Sequence, residues 1–444
     1  MRGQKPYKQS FRIRRVLLLG AGSGIGFFMG LAALAAVDGT DDSQTFRALD
    51  RFGQAFSIVR SEYVEPVEDK MLVENALSGM ISSLDPHSSY FDPKTFADMQ
   101  VRTEGQYGGV GIIIESVNGA VKVVAPIDDT PASRADVKSG DVILAVDGKG
   151  LQGMSLDQVQ LLLRGRPGTN LTLTLMRPGE QKSFDVKLER AAIEVESVKS
   201  HREGDVGYIR IPAFNEHTDQ GLQAAIKTLR KQIGPKIKGY VIDLRDDGGG
   251  VLDQAVAVSD DFLEGGEIVS TRGRDPADTQ RYDAKPGDIA EGKPLVVLIN
   301  RGTASASEIV AGALQDHRRA RIVGMTSFGK GSVQTIIPLN DGEDGALHLT
   351  TARYYTPSGR SIQATGIIPD IAVAQGDEAN TTPAENFTEA DLPHHLMGEN
   401  TPEPNKLAPI RPPAGKKFDD FQLSYAVDLL DGKIGGSALA DRHN

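Results

Sequence analysis

Apolar positions along the 444-residue chain change their spacing several times, and each spacing predicts a different kind of element. Between residues 45 and 100 they recur every three or four residues, which is typical of amphipathic helices. From residue 191 onward, short apolar runs alternate with helical stretches, which predicts an α/β domain. Two runs in this part, residues 239–244 and 295–299, have the continuous apolar character of buried strands.

The two ends of the chain differ from the middle. Residues 1–15 carry basic but no acidic side chains, and residues 16–37 contain no charge. This pattern predicts either a signal peptide or a membrane anchor whose amino terminus stays in the cytoplasm. Residues 376–416 are rich in Pro, Glu, Asn and Thr, which predicts a disordered linker. Residues 417–444 regain a helical stripe and are expected to form a helix that docks on the body or on a second subunit.

Composition excludes several kinds of chemistry. The chain has 49 basic and 60 acidic residues, and its net charge of −11 argues against nucleic acid as a partner. It has no cysteine, so it can form no disulfide, zinc–thiolate site or thiol nucleophile. His87 stands alone in a turn, and the adjacent Asp246 and Asp247 are expected to be solvated. We therefore predict no metal site.

Candidate chemistry lies in residues 300–334, where a turn of small residues joins the strand at 295–299 to a predicted helix. Ser305 begins that helix. In one interpretation Ser305 and Glu308 form a capping box that only satisfies the free amides of the first turn. In the other, the Ser305 hydroxyl is a nucleophile placed beside free N–H groups and the positive end of the helix dipole.

A nucleophilic serine needs a base, and the histidines are poorly placed. His317 lies at the far end of the same predicted helix, about 18 Å from Ser305. None of three other histidines has small neighbours: His201, His217 and His348. Lys330 lies between two glycines and can act as a base if burial keeps it neutral, although a solvated loop lysine is the ordinary alternative. Lowering a lysine pKa from about 10.4 to near 7 needs about 4–5 kcal/mol of differential desolvation.

Five segments together resemble the carboxyl-terminal processing peptidases, also called tail-specific proteases, over roughly residues 45–375. Their sequences are GTASASEIVAGAL, GKGSVQ, YGGVG, DLRDDGGG and TARYYTPSG. The resemblance implies that Ser305 is the nucleophile, Lys330 the base and Gln334 the residue that orients the base. Gln334 follows Lys330 by four residues, so on a strand both side chains would point to one face.

The resemblance also implies an oxyanion hole formed by the amides of Gly249 and Ala306. The family usually has proline where this chain has Gly248, which leaves the choice between Gly249 and Gly250 open. The glycine-rich turns near residues 20–26 and 245–250 lack the motifs of nucleotide sites, so a nucleotide-dependent enzyme is disfavoured and no cofactor is expected.

Residues 101–190 resemble a PDZ domain. The glycine-rich turn formed by Gly109, Val110, Gly111 and Ile112 would present free amides to the terminal carboxylate of a peptide that adds a strand to the sheet edge. A helix over residues 156–163 would border the groove. An ordinary β-rich spacer is the alternative. Arg164 is a candidate for coupling peptide binding to catalysis, or a helix-end arginine that satisfies carbonyl groups.

The expected architecture is therefore α/β (α+β multidomain). The resemblance implies a crotonase-like/ClpP-like core at 191–375 with an inserted PDZ domain, and helices at 45–100 that pair subunits in a homo-oligomer. The expected function is a serine endopeptidase of the periplasm or cell envelope that cleaves protein substrates with exposed carboxyl-terminal tails. Residues 16–37 would anchor it in the inner membrane, if residues 1–37 are not removed. A catalytically silent PDZ scaffold is the alternative.

Overall fold

The computed structural model describes residues 42–117, 120–127, 129–154, 156–194, 197–376, 388–399, 408–413 and 415–434. The chain forms two compact units, Met1–Asp69 and Lys70–Asn444. The apolar segment predicted over residues 16–37 lies outside the described residues. Within the described ranges, no helix has the length and apolar character needed to cross a membrane.

The first unit contains helix α1 (Asp42–Glu62), which carries an apolar stripe. The stripe faces outward in the single chain: Phe46 is 70% exposed, Leu49 61% and Phe52 54%. Apolar stripes of this size normally lie against another surface. The helix predicted from the spacing is present, and its apolar side is open.

The second unit begins with α2 (Asp69–Ser82), β1 (Ser89–Phe91) and α3 (Pro93–Glu104). The turn between α2 and β1 is built around Asp85. This buried carboxylate accepts hydrogen bonds from His87 N at 2.9 Å, Ser88 N at 2.9 Å and Ser88 Oγ at 2.7 Å. The turn is therefore rigid at the point where β1 enters the main body.

A β-rich domain with its own core follows. Its elements are β2 (Gln106–Gly109), β3 (Ile112–Val117), β4 (Ala120–Pro126), α4 (Pro131–Arg134), β5 (Val142–Val146), β6 (Lys149–Gly150), α5 (Leu156–Leu163), β7 (Asn170–Met176), β8 (Phe184–Glu189) and β9 (Ala191–Glu194). An antiparallel sheet has the order β3-β4-β5-β7-β8, with β6 on β5. Strands β2 and β9 pair where the chain enters and leaves. The helix predicted over residues 156–163 is confirmed.

The remaining core elements, in chain order, are β10 (Lys199–Glu203), β11 (Val206–Arg210), α6 (Thr218–Ile233), β12 (Gly239–Asp243), α7 (Leu252–Asp260), β13 (Gly266–Gly273), β14 (Gln280–Ala284), β15 (Leu295–Ile299), α8 (Ala306–Asp316), β16 (Ala320–Gly324), β17 (Ser332–Pro338), β18 (Ala346–Tyr355) and β19 (Ile371–Ala372). Six of the strands form a sheet in the order β10-β11-β12-β15-β16-β19. All neighbours in it are parallel except β10 and β11. The α/β prediction for this region is confirmed.

Both faces of this sheet are covered, which explains the continuous apolar runs of its central strands. Ile242 and Val297 belong to the cluster on the side of α6, α7 and α8. Their neighbours Val241 and Val296 belong to the cluster on the opposite side. Every residue of β12 and β15 is buried.

A second sheet joins the amino-terminal region to the core. Its order is β1-β18-β13-β14, with β17 also paired to β18. Strand β1 pairs antiparallel with β18, so that Ser89 lies opposite His348. The turn around Asp85 is thereby held beside β17 and β18.

The carboxyl-terminal helix α9 (Phe421–Leu430) covers the second face of the parallel sheet, as the docking prediction expected. Asp420 precedes α9, accepts a hydrogen bond from Leu423 N and also binds the half-buried guanidinium of Arg245, with Oδ2 2.6 Å from Nη2. Arg245 binds Asp243 as well. Because Arg245 directly follows β12, α9 supports the turn at the end of that strand.

The prediction of a disordered linker over residues 376–416 is wrong for residues 388–399. This segment contains a short 3₁₀ turn, Glu389–Asp391, capped by Thr388, and Glu389 is fully buried. Residue composition indicated solvation, whereas specific hydrogen bonds to the core order the segment. We refer to residues 388–399 as the strap.

Candidate active site

The site lies where the parallel strands β12 and β15 end side by side. Ligands in such sheets bind at the carboxyl ends of the strands. Two hydrogen bonds join the turns that follow them: Thr303 Oγ1 donates to Leu244 O at 2.7 Å, and Ala304 N donates to Asp247 O at 2.9 Å. The turn after β12 and the turn before α8 therefore form one unit.

Ser305 occupies the position immediately before α8 with φ 56° and ψ −116°. Positive φ is uncommon for a residue with a side chain and concentrates at functional sites. The amide of Ala306, the first helical residue, has no acceptor among the described residues. A free N–H at a helix amino terminus beside a serine is suited to stabilise an oxyanion.

The fully buried Glu308 carboxylate joins the backbone of Ser305 to that of Lys330. Its Oε2 atom accepts from Ser305 N and Lys330 N, both at 2.9 Å. Its Oε1 atom accepts from Ser327 Oγ at 2.5 Å and Gly329 N at 2.8 Å. Burial raises the pKa of Glu308 to about 7, and these hydrogen bonds oppose that rise. The predicted interaction of Glu308 with the start of α8 exists, but it also fixes the lysine.

Every backbone N–H and C=O of residues 329–331, the lysine loop, is hydrogen-bonded. Glu308 accepts the first two amides, and Gln363 Oε1 accepts from Gly331 N at 2.8 Å. The hydroxyl of Tyr354 donates to Lys330 O and lies 3.1 Å from Ser305 O. Ala364 N and Tyr354 N donate to the remaining carbonyl groups at 2.8 and 3.0 Å. The backbone around Lys330 is therefore fixed.

Lys330 is half-buried, and its amine forms no ion pair within 4.0 Å with any described residue. Burial lowers the pKa of Lys330 from its ordinary value, while the charges of Glu389, Glu308 and Asp85 oppose the shift. A buried amine without a contacting carboxylate has the environment that favours a neutral lysine. The solvated-loop interpretation of Lys330 is wrong.

Ser305 and Lys330 line one cavity of about 470 Å³. Its wall also includes Gly249, Ala306 and Gln334, so the structure brings all five predicted catalytic and oxyanion residues together. The remaining wall is mostly apolar: Met99, Ala213, Phe214, Val251, Leu252, Ile309, Val333 and Ile336. The cavity combines a small polar end with an apolar side.

Gln334 lies in the cavity wall, but the argument from strand spacing was wrong. Strand β17 begins at Ser332, beyond Lys330, and its register shifts between Val333 and Gln334. The Gln334 amide donates to Ser332 Oγ at 2.9 Å and Thr350 Oγ1 at 3.3 Å. These bonds fix Gln334 itself.

The backbone of the glycine turn lies so close to Ser305 that a side chain at position 249 would clash with it. Gly249 has φ 94°, and a Cβ there would lie 2.8 Å from the Cβ of Ser305. Its amide, however, donates to Asp247 Oδ1 at 2.8 Å. The amide of Gly250 has no acceptor among the described residues. In this conformation the amide of Gly249 is occupied, whereas the amides of Gly248 and Gly250 have no acceptor among the described residues.

The expectation of a solvated pair of aspartates is wrong for Asp247. Asp246 is exposed, but Asp247 is fully buried and its Oδ2 atom has no hydrogen-bond partner among the described residues. Burial raises the pKa of Asp247 to about 7. The carboxyl turns inward because Gly249 N and the backbone contact with Ala304 fix the turn around it.

Two side chains near the site were not assigned to it from sequence. His348 lines the cavity and stacks on Phe91 with ring centroids 5.0 Å apart. Burial lowers the pKa of His348, and the nearby charge of Lys330 acts in the same direction. Glu389 reaches the lysine loop from the strap. No local sequence signal marks either residue. His348 reaches the site through the pairing of β1 with β18, and Glu389 through the folding of the strap.

The predicted peptide groove is a second cavity, of about 250 Å³, in the β-rich domain. Its walls include Gly109, Val110, Gly111 and Ile112, with Arg164 at one end. The amides of Val110 and Gly111 have no acceptor in the described part of the chain, so they are free to bind an anion.

The simpler interpretation of Arg164 was a helix-end arginine that binds carbonyl groups. The structure shows different contacts. Its guanidinium donates to Asp98 of α3 at 3.2 Å and lies over the Tyr107 ring at 5.2 Å. The next residue of α3, Met99, lines the catalytic cavity. The groove and the catalytic cavity are therefore connected through α3.

Comparison with known proteins agrees with this geometry. The family model "Peptidase family S41" matches residues 205–373, "PDZ domain" matches residues 108–188, and "Activating protease CtpB N-terminal domain" matches residues 31–95. The chain is 49% identical to a "Carboxy-terminal-processing protease" of Bartonella bacilliformis, over 96% of this chain and 98% of that protein. It is 33% identical to "Carboxy-terminal processing protease CtpB" of Bacillus subtilis, over 82% of this chain and 77% of the relative.

Among solved structures, a photosystem II D1 C-terminal processing protease is 32% identical, over 75% of this chain and 92% of that one, with a TM-score of 0.42. The fold and the relatives define a serine-type peptidase that carries a PDZ domain. The chain belongs to peptidase family S41, within its carboxy-terminal processing proteases. As the names of these relatives state, proteases of this group process the carboxyl termini of proteins.

We predict that Glu308→Gln lowers kcat/KM for a tailed substrate at least ~100-fold, because the amide NH₂ would face N–H donors and loosen the backbone at Ser305 and Lys330. The free energy of unfolding should fall by about 1–3 kcal/mol. Kinetic assays and chemical denaturation measure the two effects. The exposed Glu343→Gln is the control. A folded Glu308→Gln enzyme with the parent kcat/KM would disprove this role for Glu308.

Proposed function

We propose that this protease cleaves the carboxyl-terminal tails of exported proteins with Ser305 as nucleophile and Lys330 as general base. One observation carries the proposal: the two residues line one cavity, and Glu308 and Tyr354 link their backbones. A neutral amine held beside a serine can replace the histidine of other serine proteases.

The reaction follows from these positions. The Lys330 amine accepts the Ser305 proton as Oγ attacks the scissile carbonyl carbon, and the carbonyl oxygen becomes negatively charged. When the C–N bond breaks, the ammonium returns the proton to the leaving amine. A water molecule, deprotonated by the same amine, then hydrolyses the acyl ester and releases Ser305.

The oxyanion would be bound by the Ala306 amide together with one amide of the glycine turn. Gly250 offers its amide without rearrangement, whereas Gly249 would first have to release Asp247. Gln334 would position Lys330 from the adjacent cavity wall, supported by Ser332 and Thr350. The apolar wall, which includes Leu252 and Ile309, suits an apolar substrate side chain beside the cleaved bond.

We predict that Ser305→Ala and Lys330→Met each lower tail cleavage at least ~1000-fold, because each removes a reacting group. The matched variant His348→Gln should retain cleavage within about tenfold, since His348 only lines the cavity. Intact-mass analysis of a tailed reporter protein measures the product. An active Lys330→Met enzyme would exclude lysine as the base. Full function in Ser305→Ala would favour the silent PDZ scaffold.

The PDZ groove would hold the free carboxylate of the tail on the amides near Val110 and Gly111. We predict that amidating the terminus of a tail peptide weakens its binding to Ser305→Ala protein about 10–100-fold, because charge-assisted hydrogen bonds of about 1.5–3 kcal/mol are lost. Isothermal titration calorimetry with the free-acid peptide as control measures the change. Equal affinity for the two peptides would reject carboxylate recognition.

Self-association and membrane attachment complete the proposal. The exposed stripe of Phe46, Leu49 and Phe52 on α1 suits contact with a second copy of the chain. A protein that sediments only as a monomer at micromolar concentration would reject the homo-oligomer. The uncharged residues 16–37 would anchor the chain in the inner membrane, and release of the full-length protein by high-salt washing would contradict that anchor.

A further inference from the structure

The strap reaches the lysine loop through backbone and side-chain contacts. Glu389 N donates to Phe328 O, two residues before Lys330, at 3.1 Å. Thr388 fixes the start of the short turn, since its amide and hydroxyl donate to Asp391 Oδ2 at 2.9 and 2.8 Å. The strap is therefore ordered where it crosses the loop.

Gln363 connects the lysine loop to the strap. Its Oε1 atom accepts from Gly331 N, and its Nε2 atom donates to Glu389 Oε1 at 2.8 Å and to Leu396 O at 3.0 Å. Gln363 and Glu389 are both fully buried. A buried amide with all these partners fixed leaves the loop little freedom to shift.

The other oxygen of Glu389 contacts the amino-terminal turn. Glu389 Oε2 lies 2.7 Å from His87 Nε2. The same turn holds Asp85, whose Oδ1 accepts from Thr350 Oγ1 at 3.1 Å, and Thr350 in turn accepts from Gln334. The surroundings of Lys330 and Gln334 thus depend on segments from both ends of the described chain.

Glu389 also acts on Lys330 by charge. Five other titratable groups face this region: Glu308, Asp85, His87, His348 and Tyr354. Among the carboxylates, Glu389 makes the largest electrostatic contribution that favours the ammonium form of Lys330, although the two side chains are not in contact within 4.0 Å. Its position and its charge therefore have opposite consequences for catalysis: one orders the loop, and the other favours the inactive protonation state.

We propose that Glu389 is a positioning residue of the protease, which holds the lysine loop through Gln363 and ties it to the amino-terminal turn through His87. This inference rests on the proposed role of Lys330. It makes the strap, which lies outside the matched peptidase region at residues 205–373, a functional part of the active site.

Two variants of the full-length protein separate the contacts of the Glu389 side chain from its charge. Glu389→Gln keeps an acceptor for Gln363 and removes the charge, so its kcat at high pH should stay within about threefold of the parent. The acid limb of its kcat/KM–pH profile should move to lower pH. Glu389→Ala removes the contacts as well, and its kcat should fall at least ~10-fold with KM within about twofold.

Glu399→Gln is the matched control, because Glu399 lies on the same strap with an exposed side chain and should leave the profile unchanged. An unmoved acid limb in Glu389→Gln, with a parental kcat in Glu389→Ala, would overturn the inference even if Lys330→Met is inactive. An active Lys330→Met enzyme would instead remove the proposed base and this inference with it. A thermal melt of each variant shows whether lost activity reflects unfolding.

Discussion

The site depends on burying the amine of Lys330, which has no contacting counter-ion among the described residues. An ammonium in such a place is destabilised, so burial drives Lys330 toward its neutral form. If the lysine loop could move and let the amine reach solvent, the amine would be protonated again. The structure prevents this by hydrogen-bonding every peptide group of residues 329–331. The fixed backbone of residues 329–331 and the burial of the Lys330 side chain therefore act together.

The fold assembles the surroundings of Ser305 and Lys330 from distant parts of the chain. Parallel strands β12 and β15 bring the glycine turn and Ser305 to one sheet edge. Glu308, one turn into α8, connects Ser305, the proposed nucleophile, to the lysine loop. The amino-terminal turn and the strap contribute Asp85 and Glu389, which accept hydrogen bonds from Thr350 and Gln363. The proposed pair of Ser305 and Lys330 belongs to one strand–helix–loop segment, whereas the residues around the pair come from distant parts of the chain.

The sequence predicted the parts of this site that have local signals. Continuous apolar runs located β12 and β15, small residues marked the turn at Ser305, and flanking glycines singled out Lys330. The strap was missed because its polar composition resembles a linker, and only contacts with Gln363 and His87 order it. Lys330 and Gln334 do not lie on one face of a regular strand, because the register of β17 shifts after Val333. Asp247 is buried, rather than solvated as predicted, because the turn folds inward.

The most direct test of the account is a pH titration of the Lys330 amine. In Ser305→Ala protein with ¹³C-labelled lysine side chains, Lys330→Met identifies the Lys330 resonance, and its chemical shift is followed with pH. The account predicts a pKa below that of an ordinary lysine, about 10.4. Titration of Lys330 at or above that value would contradict it, because the amine would then be protonated when the serine must be activated.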